Sequence, residues 1–103
     1  MMSTAYLCNL GNGQQLYLEN QGTETLLTLS SSSPGQQQSQ RTQFSTGAWQ
    51  ATPTLKRTNH AWIVQVSTAQ GDRYIQVQSQ GMQMVTHPSS EAIESLPLQP
   101  ISS

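Results

Sequence analysis

Short runs rich in Leu, Val, Ile, Tyr and Thr recur along the chain, and Gly, Asn or Pro breaks them at intervals of roughly ten residues. A helix would carry apolar residues three or four apart through ten or more positions; here they alternate with polar ones between the breaks. This punctuation predicts consecutive hairpins, an all-β, antiparallel up-and-down meander of seven or eight short strands. Thr4 to Leu10 and Gln14 to Asn20 flank Gly11-Asn12-Gly13, and Asn-Gly takes the positive φ angles of a tight hairpin turn with little strain. A second turn at Asn20-Gln21-Gly22 leads into Glu24 to Ser31. Ser33-Pro34-Gly35 ends that run, because proline cannot donate to a ladder.

The segment Gln36 to Ser45 is so polar that an edge strand, an exposed hairpin arm and a loop all fit it. Ala48 to Arg57 contains Pro53, which makes it an edge or bulged strand. In His60 to Thr68 the two-residue period puts Trp62, Val64 and Val66 on one face and Ala61, Ile63 and Gln65 on the other. Gln70-Gly71-Asp72 reads as a turn into Arg73 to Ser79, where Ile75 and Val77 alternate with Tyr74, Gln76 and Gln78. After Gln80-Gly81, Met82 and Met84 belong to a last short strand ending near Thr86. From Pro88 the composition shifts to Ser, Glu and Pro, so residues 88–103 read as a flexible tail following a single domain over 1–87. Within that tail Ser90 to Leu96 has the option of a helical turn or two, capped by Ser89 or Ser90. Strands that each bury one face and hide their edges fit a small barrel or a sandwich, and the pattern leaves both open.

Hydrophobic residues make up 34% of the chain and charged residues 9%, with a net charge of −1. Disordered chains of low hydrophobicity ordinarily carry high net charge, so this composition favours folding. Four basic residues, Arg41, Lys56, Arg57 and Arg73, neutralise few phosphates, which argues against nucleic acid as a partner. The one cysteine, Cys8, has no intrachain mate, and the start MMSTAYLCNL lacks an export signal, so a cytoplasmic location is expected. No run approaches the roughly 20 apolar residues of a membrane span, and Met2 stands where a myristoylation signal needs Gly.

Catalytic patterns are missing. His60 and His87 sit beside expected turns, without the acid and nucleophile a hydrolase assembles around such a base. Cys8, His60, His87 and Asp72 show no zinc-ligand spacing, and Gly11-Asn12-Gly13 lacks the Lys and Ser/Thr of a phosphate loop. Cys8 shares parity with Tyr6 and Leu10, as a small buried hydrophobe would. Glu19, Glu24 and Asp72 flank turns, where acids are ordinary. The expectation is a protein that is not an enzyme, with no catalytic residue, cofactor or metal.

Binding offers more. Trp62 belongs in the core by its parity. Trp49, between Gly47 and Pro53, is either an exposed anchor beside Tyr17 or Tyr74, or a plug at one end of the fold. Arg73 and the pair Lys56-Arg57 are candidates for an anionic group. Sixteen glutamines occur, several at alternate strand positions, and a sheet coated with neutral amides approaches another protein without charge repulsion. Trp49, Tyr17, Tyr74, Arg73, Gln76 and Gln78 are therefore the candidate binding residues of a protein-binding or self-associating module. The alternative is a carrier of a small apolar ligand, its interior lined by Leu16, Leu18, Leu27, Ile63 and Val77. The stretch AYLCNLGNGQQLYLENQGTETLLTLSSSSPGQQQSQ, with the later STAQGDRYIQVQ, resembles uncharacterised small glutamine-rich all-β proteins of cyanobacteria over residues 5 to 80. The resemblance implies a cyanobacterial source and brings no activity, site or cofactor with it.

Overall fold

A computed structural model describes residues 4–59, 61–78, 81–86 and 94–101. The expectations for His60, Gln80, His87 and the cap at Ser89 or Ser90 lie outside the described residues. Strands β1 (Thr4–Gly11), β2 (Gln14–Gln21), β3 (Glu24–Ser33) and β4 (Gln36–Ser45) run as a meander, and so do β5 (Thr54–Arg57), β6 (Trp62–Thr68), β7 (Gly71–Gln78) and β8 (Gly81–Val85). Two short strands follow, β9 (Glu94–Leu96) and β10 (Gln99–Pro100). They complete two antiparallel five-stranded sheets, in the orders β10-β1-β2-β3-β4 and β8-β7-β6-β5-β9. The architecture is sandwich-like and not a closed barrel.

Local chemistry sets each hairpin. Asn12 and Gly13 have φ of 53° and 76°, both left-handed, which is what the two-residue turn between β1 and β2 demands. A bulge precedes it: Asn9 pairs with Gln15 and Gly11 with Gln14, so Leu10 is the extra residue. The Asn9 side chain holds this kink by accepting the Gly11 N–H at 2.9 Å. A Cβ on Gly13 would run into the Ser32 carbonyl, the neighbour to which the Gly13 carbonyl is bound through the Ser32 N–H at 2.9 Å. Pro34 and Gly35 join β3 to β4 with unbroken register from Ser33↔Gln36 to Glu24↔Ser45. The turn before β7 falls on Ala69 and Gln70, one residue earlier than the sequence suggests, and Gly71 already belongs to the strand.

Direct pairs share a face, so the register fixes which side chains point inward. In the first sheet Cys8 pairs with Leu16, Leu16 with Leu29 and Leu18 with Leu27. In the second, Leu55 pairs with Val64, Val64 with Ile75 and Trp62 with Val77. These side chains meet between the sheets in one buried cluster with Val66. Burying each larger aliphatic side chain contributes roughly 1.5–3 kcal/mol of transfer free energy. Ile63 departs from the expected lining of a ligand cavity. It pairs with Lys56 and Gln76 on the opposite face of its sheet from Val64 and Val77, and is nevertheless buried there.

Two expectations need correction. Pro53 does not put β5 on an edge: the strand starts just after it, at Thr54, and pairs with β6 on one side and β9 on the other. The second concerns the tail, whose described part is not free. Leu55 pairs with Leu96 and Arg57 with Glu94, while Tyr6 pairs with Pro100 and Leu7 with Gln99. Glu94–Leu96 is thus extended rather than helical. The chain passes from one sheet to the other through Pro97 and Leu98, and Leu96 and Leu98 pack on the core cluster. Arg57 Nε lies 2.8 Å from Glu94 Oε1, but both side chains are about half exposed (47% and 49%), so the pair adds roughly 0–1 kcal/mol. Apolar docking of the two leucines is the larger hold.

Candidate functional site

The six residues expected to bind do not form one surface. Tyr74, Gln76 and Gln78 share the outer face of the second sheet, where Tyr74 pairs with Gln65 and Val85, and Gln76 with Gln83. Arg73 pairs with Val66 and so has the opposite parity from Tyr74. Tyr17 lies on the outer face of the first sheet, in a row with Leu7, Thr28 and Arg41.

Trp49 is the plug and not an exposed anchor. Its ring stacks on Tyr6, with centroids 6.2 Å apart and planes at 29°, and it packs against the core cluster. Its indole N–H donates to Thr25 Oγ1 at 2.8 Å. Thr25 and Thr46 are both buried, with their hydroxyl oxygens 2.6 Å apart, and Thr46 donates onward to the Gly47 carbonyl at 2.9 Å. Each hydroxyl has one proton, so the chain runs in one direction: indole to Thr25, Thr25 to Thr46, Thr46 to the backbone. Asn20 supports it from the side, accepting the Trp49 backbone N–H at 3.3 Å and donating to the Gly22 and Glu24 carbonyls. Trp62 also packs on the cluster; its Nε1 is buried and finds no acceptor among the described residues.

The surface feature that most departs from ordinary practice is β4. It is ten residues long, pairs with β3 at every position, and ends the strand order of its sheet. An edge strand displays a row of backbone N–H and C=O groups, which proteins usually blunt with a short strand, proline, a bulge or several lysines. The β9 edge is three residues long, β10 is two with one of them Pro100, and β8 is five. β4 has no proline, no register shift and one charge, Arg41. Its outward row on the solvent face is Gln37, Ser39, Arg41 and Gln43, paired with Ser32, Ser30, Thr28 and Leu26.

Beside this edge a groove of about 700 Å³ opens on the outer face of the first sheet, lined by Asn9, Gln15, Ser30, Ser32, Gln37 and Ser39 among others. The Asn12-Gly13 hairpin, drawn close to Ser32, forms one end of it. Every lining side chain is neutral and offers a hydroxyl or amide. The groove lies outside the sandwich and is polar, so it does not supply the apolar cavity a carrier needs. A smaller groove, about 230 Å³, lies at Gln78, Gly81, Met82 and Gln83.

Titratable chemistry is sparse here. Burial pushes the Cys8 thiol up, away from the thiolate that a nucleophile requires. The Tyr17 phenol is raised too, first by burial and then by Glu19, whose carboxylate accepts its proton at 3.3 Å; Arg41 opposes this weakly. Among the described residues no three His, Cys, Asp or Glu side chains converge, and no helix is long and apolar enough to cross a membrane. Comparison of the chain with known protein families, with curated proteins and with solved structures finds no match. The sequence reading missed Gln37, Ser39 and the groove as a site. The signal available was the run from Gln36 to Ser45, ten residues without Gly or Pro.

Proposed function

We propose that the protein is a non-enzymatic binding module that accepts an extended segment of another polypeptide along β4. The observation that carries this reading is the ten-residue edge with a single charge and with neither proline nor a register shift. Backbone pairing supplies affinity in such strand addition, and pockets beside the edge select alternate side chains of the incoming strand. The neutral groove at Gln37 and Ser39 stands where such a pocket is needed. Tyr74, Gln76 and Gln78 form a second polar surface on the other sheet, without a comparable row of backbone groups.

The test is site-specific photo-crosslinking in the cells that make the protein. A benzophenone side chain placed at Gln37 is expected to yield a discrete adduct with a polypeptide, whereas the same probe at Gln76 yields none. An adduct from Gln76 alone would move the site to the amide face of the second sheet, and no adduct from Gln37 would refute binding along β4.

A further inference from the structure

We infer that the strand received by β4 is the β4 of a second copy of this chain, in an antiparallel two-fold pair centred on Gln40; this rests on the strand-accepting reading above. A two-fold axis perpendicular to the sheet keeps inner faces continuous with inner faces, so only registers in which a residue meets its own counterpart at the centre are allowed. Centring on Arg41 would place two guanidiniums directly opposite, which destabilises a sheet. Centring on Gln40 avoids this and pairs nine residues, 36 through 44. Gln38 then meets Thr42, Gln37 meets Gln43, and Ser39 meets Arg41, each twice.

The last pair gives the groove a ligand. Ser39 lines it, so the second copy's Arg41 enters on the groove side of the sheet, among Ser30, Gln15 and Asn9. Amide and hydroxyl oxygens without a competing cation suit a guanidinium, which has five donors and no acceptor. The same flank of the sandwich, where β4 approaches β8, carries Met84, whose side points toward the core side of its sheet through its pairing with Ile75 yet is 41% exposed. Association along β4 brings the two Met84 flanks together and covers apolar surface that a single copy leaves wet. With a net charge of −1, two copies approach with little repulsion.

The experiment is sedimentation equilibrium over a wide concentration range with three variants, each confirmed folded by circular dichroism. Ser39→Glu sets a carboxylate opposite each Arg41 and is expected to tighten the dimer by roughly 2- to 30-fold, the scale of two cross-strand charge pairs. Ser39→Arg sets like charges there and weakens it by a similar factor. Adding Arg41→Glu to Ser39→Arg restores the affinity. Ser39 is exposed, so these changes leave the core intact. A strictly monomeric protein, or a dimer whose affinity ignores all three variants, overturns the inference. Sequencing the Gln37 adduct separates the two levels: a second copy supports the dimer, a different polypeptide overturns it while sparing strand addition, and no polypeptide overturns both.

Discussion

Replacing Thr25 by Val tests the buried relay that holds Trp49. The two side chains are nearly equal in volume, so the change removes a hydroxyl with little loss of packing. It takes away the acceptor of the Trp49 indole N–H and the donor to Thr46. An unsatisfied buried group costs about 1–3 kcal/mol. Trp49 is only half-buried, so water relieves part of that penalty, and a loss of roughly 1–2 kcal/mol is expected. In a domain of this size each 1 kcal/mol lowers the melting temperature by roughly 4–8 °C. Urea unfolding followed by far-ultraviolet circular dichroism measures it, with Trp49→Phe as the second arm of a double-mutant cycle. Without an indole to orphan, Thr25→Val should cost less in the Phe background by about 0.5–1 kcal/mol. An unchanged urea midpoint for Thr25→Val, or an equal cost in both backgrounds, would refute the relay.

Gly13→Ala forces a methyl onto the Ser32 carbonyl at a φ of 76°, and should destabilise the fold by roughly 2–3 kcal/mol, more than Gly22→Ala, where a Cβ meets nothing; thermal melts of both variants decide the order. A chain ending at residue 87 loses the docking of Leu96 and Leu98 and should lose roughly 2–4 kcal/mol, against nearly zero for a free tail; chemical denaturation distinguishes the two. Stability should fall as pH rises past about 9. The raised Cys8 and Tyr17 groups keep their protons in the folded chain while the unfolded chain ionises, and stability decreases wherever the unfolded state binds fewer protons; Cys8→Ala with Tyr17→Phe should flatten that slope in pH-dependent melts.

The hairpins were legible because Asn12-Gly13 and Pro34-Gly35 impose local geometry that acts before any tertiary contact. Core parity at Cys8, Leu16 and Val64 was equally plain, since alternation maps directly onto the two faces of a strand. Ile63 escaped that logic: it is buried on the face opposite Val64, beside Lys56 and Gln76, and a single strand's pattern cannot register what lies around it. The docking of Leu96 and Leu98 was hidden for a related reason. Pro97 and the surrounding serines read as a tail, and only the flank between two sheets gives two isolated leucines somewhere to go. Trp49 was ambiguous because its fate turned on Thr25 and Thr46, distant in sequence and unremarkable in type. Of the edge, the run from Gln36 to Ser45 left strand, hairpin arm and loop all open, and that no described strand pairs beyond it depends on the sheet order.

The passage from β9 to β10 also orders events in time. Tyr6 and Leu7 leave the ribosome long before their outer neighbours, Pro100 and Gln99. Pairings so remote along the chain are slow to form, because a long loop must close before they repay anything. Until then the nascent first sheet shows a raw margin at Tyr6 as well as one at β4, and a chaperone or a neighbouring nascent chain has that interval in which to reach it.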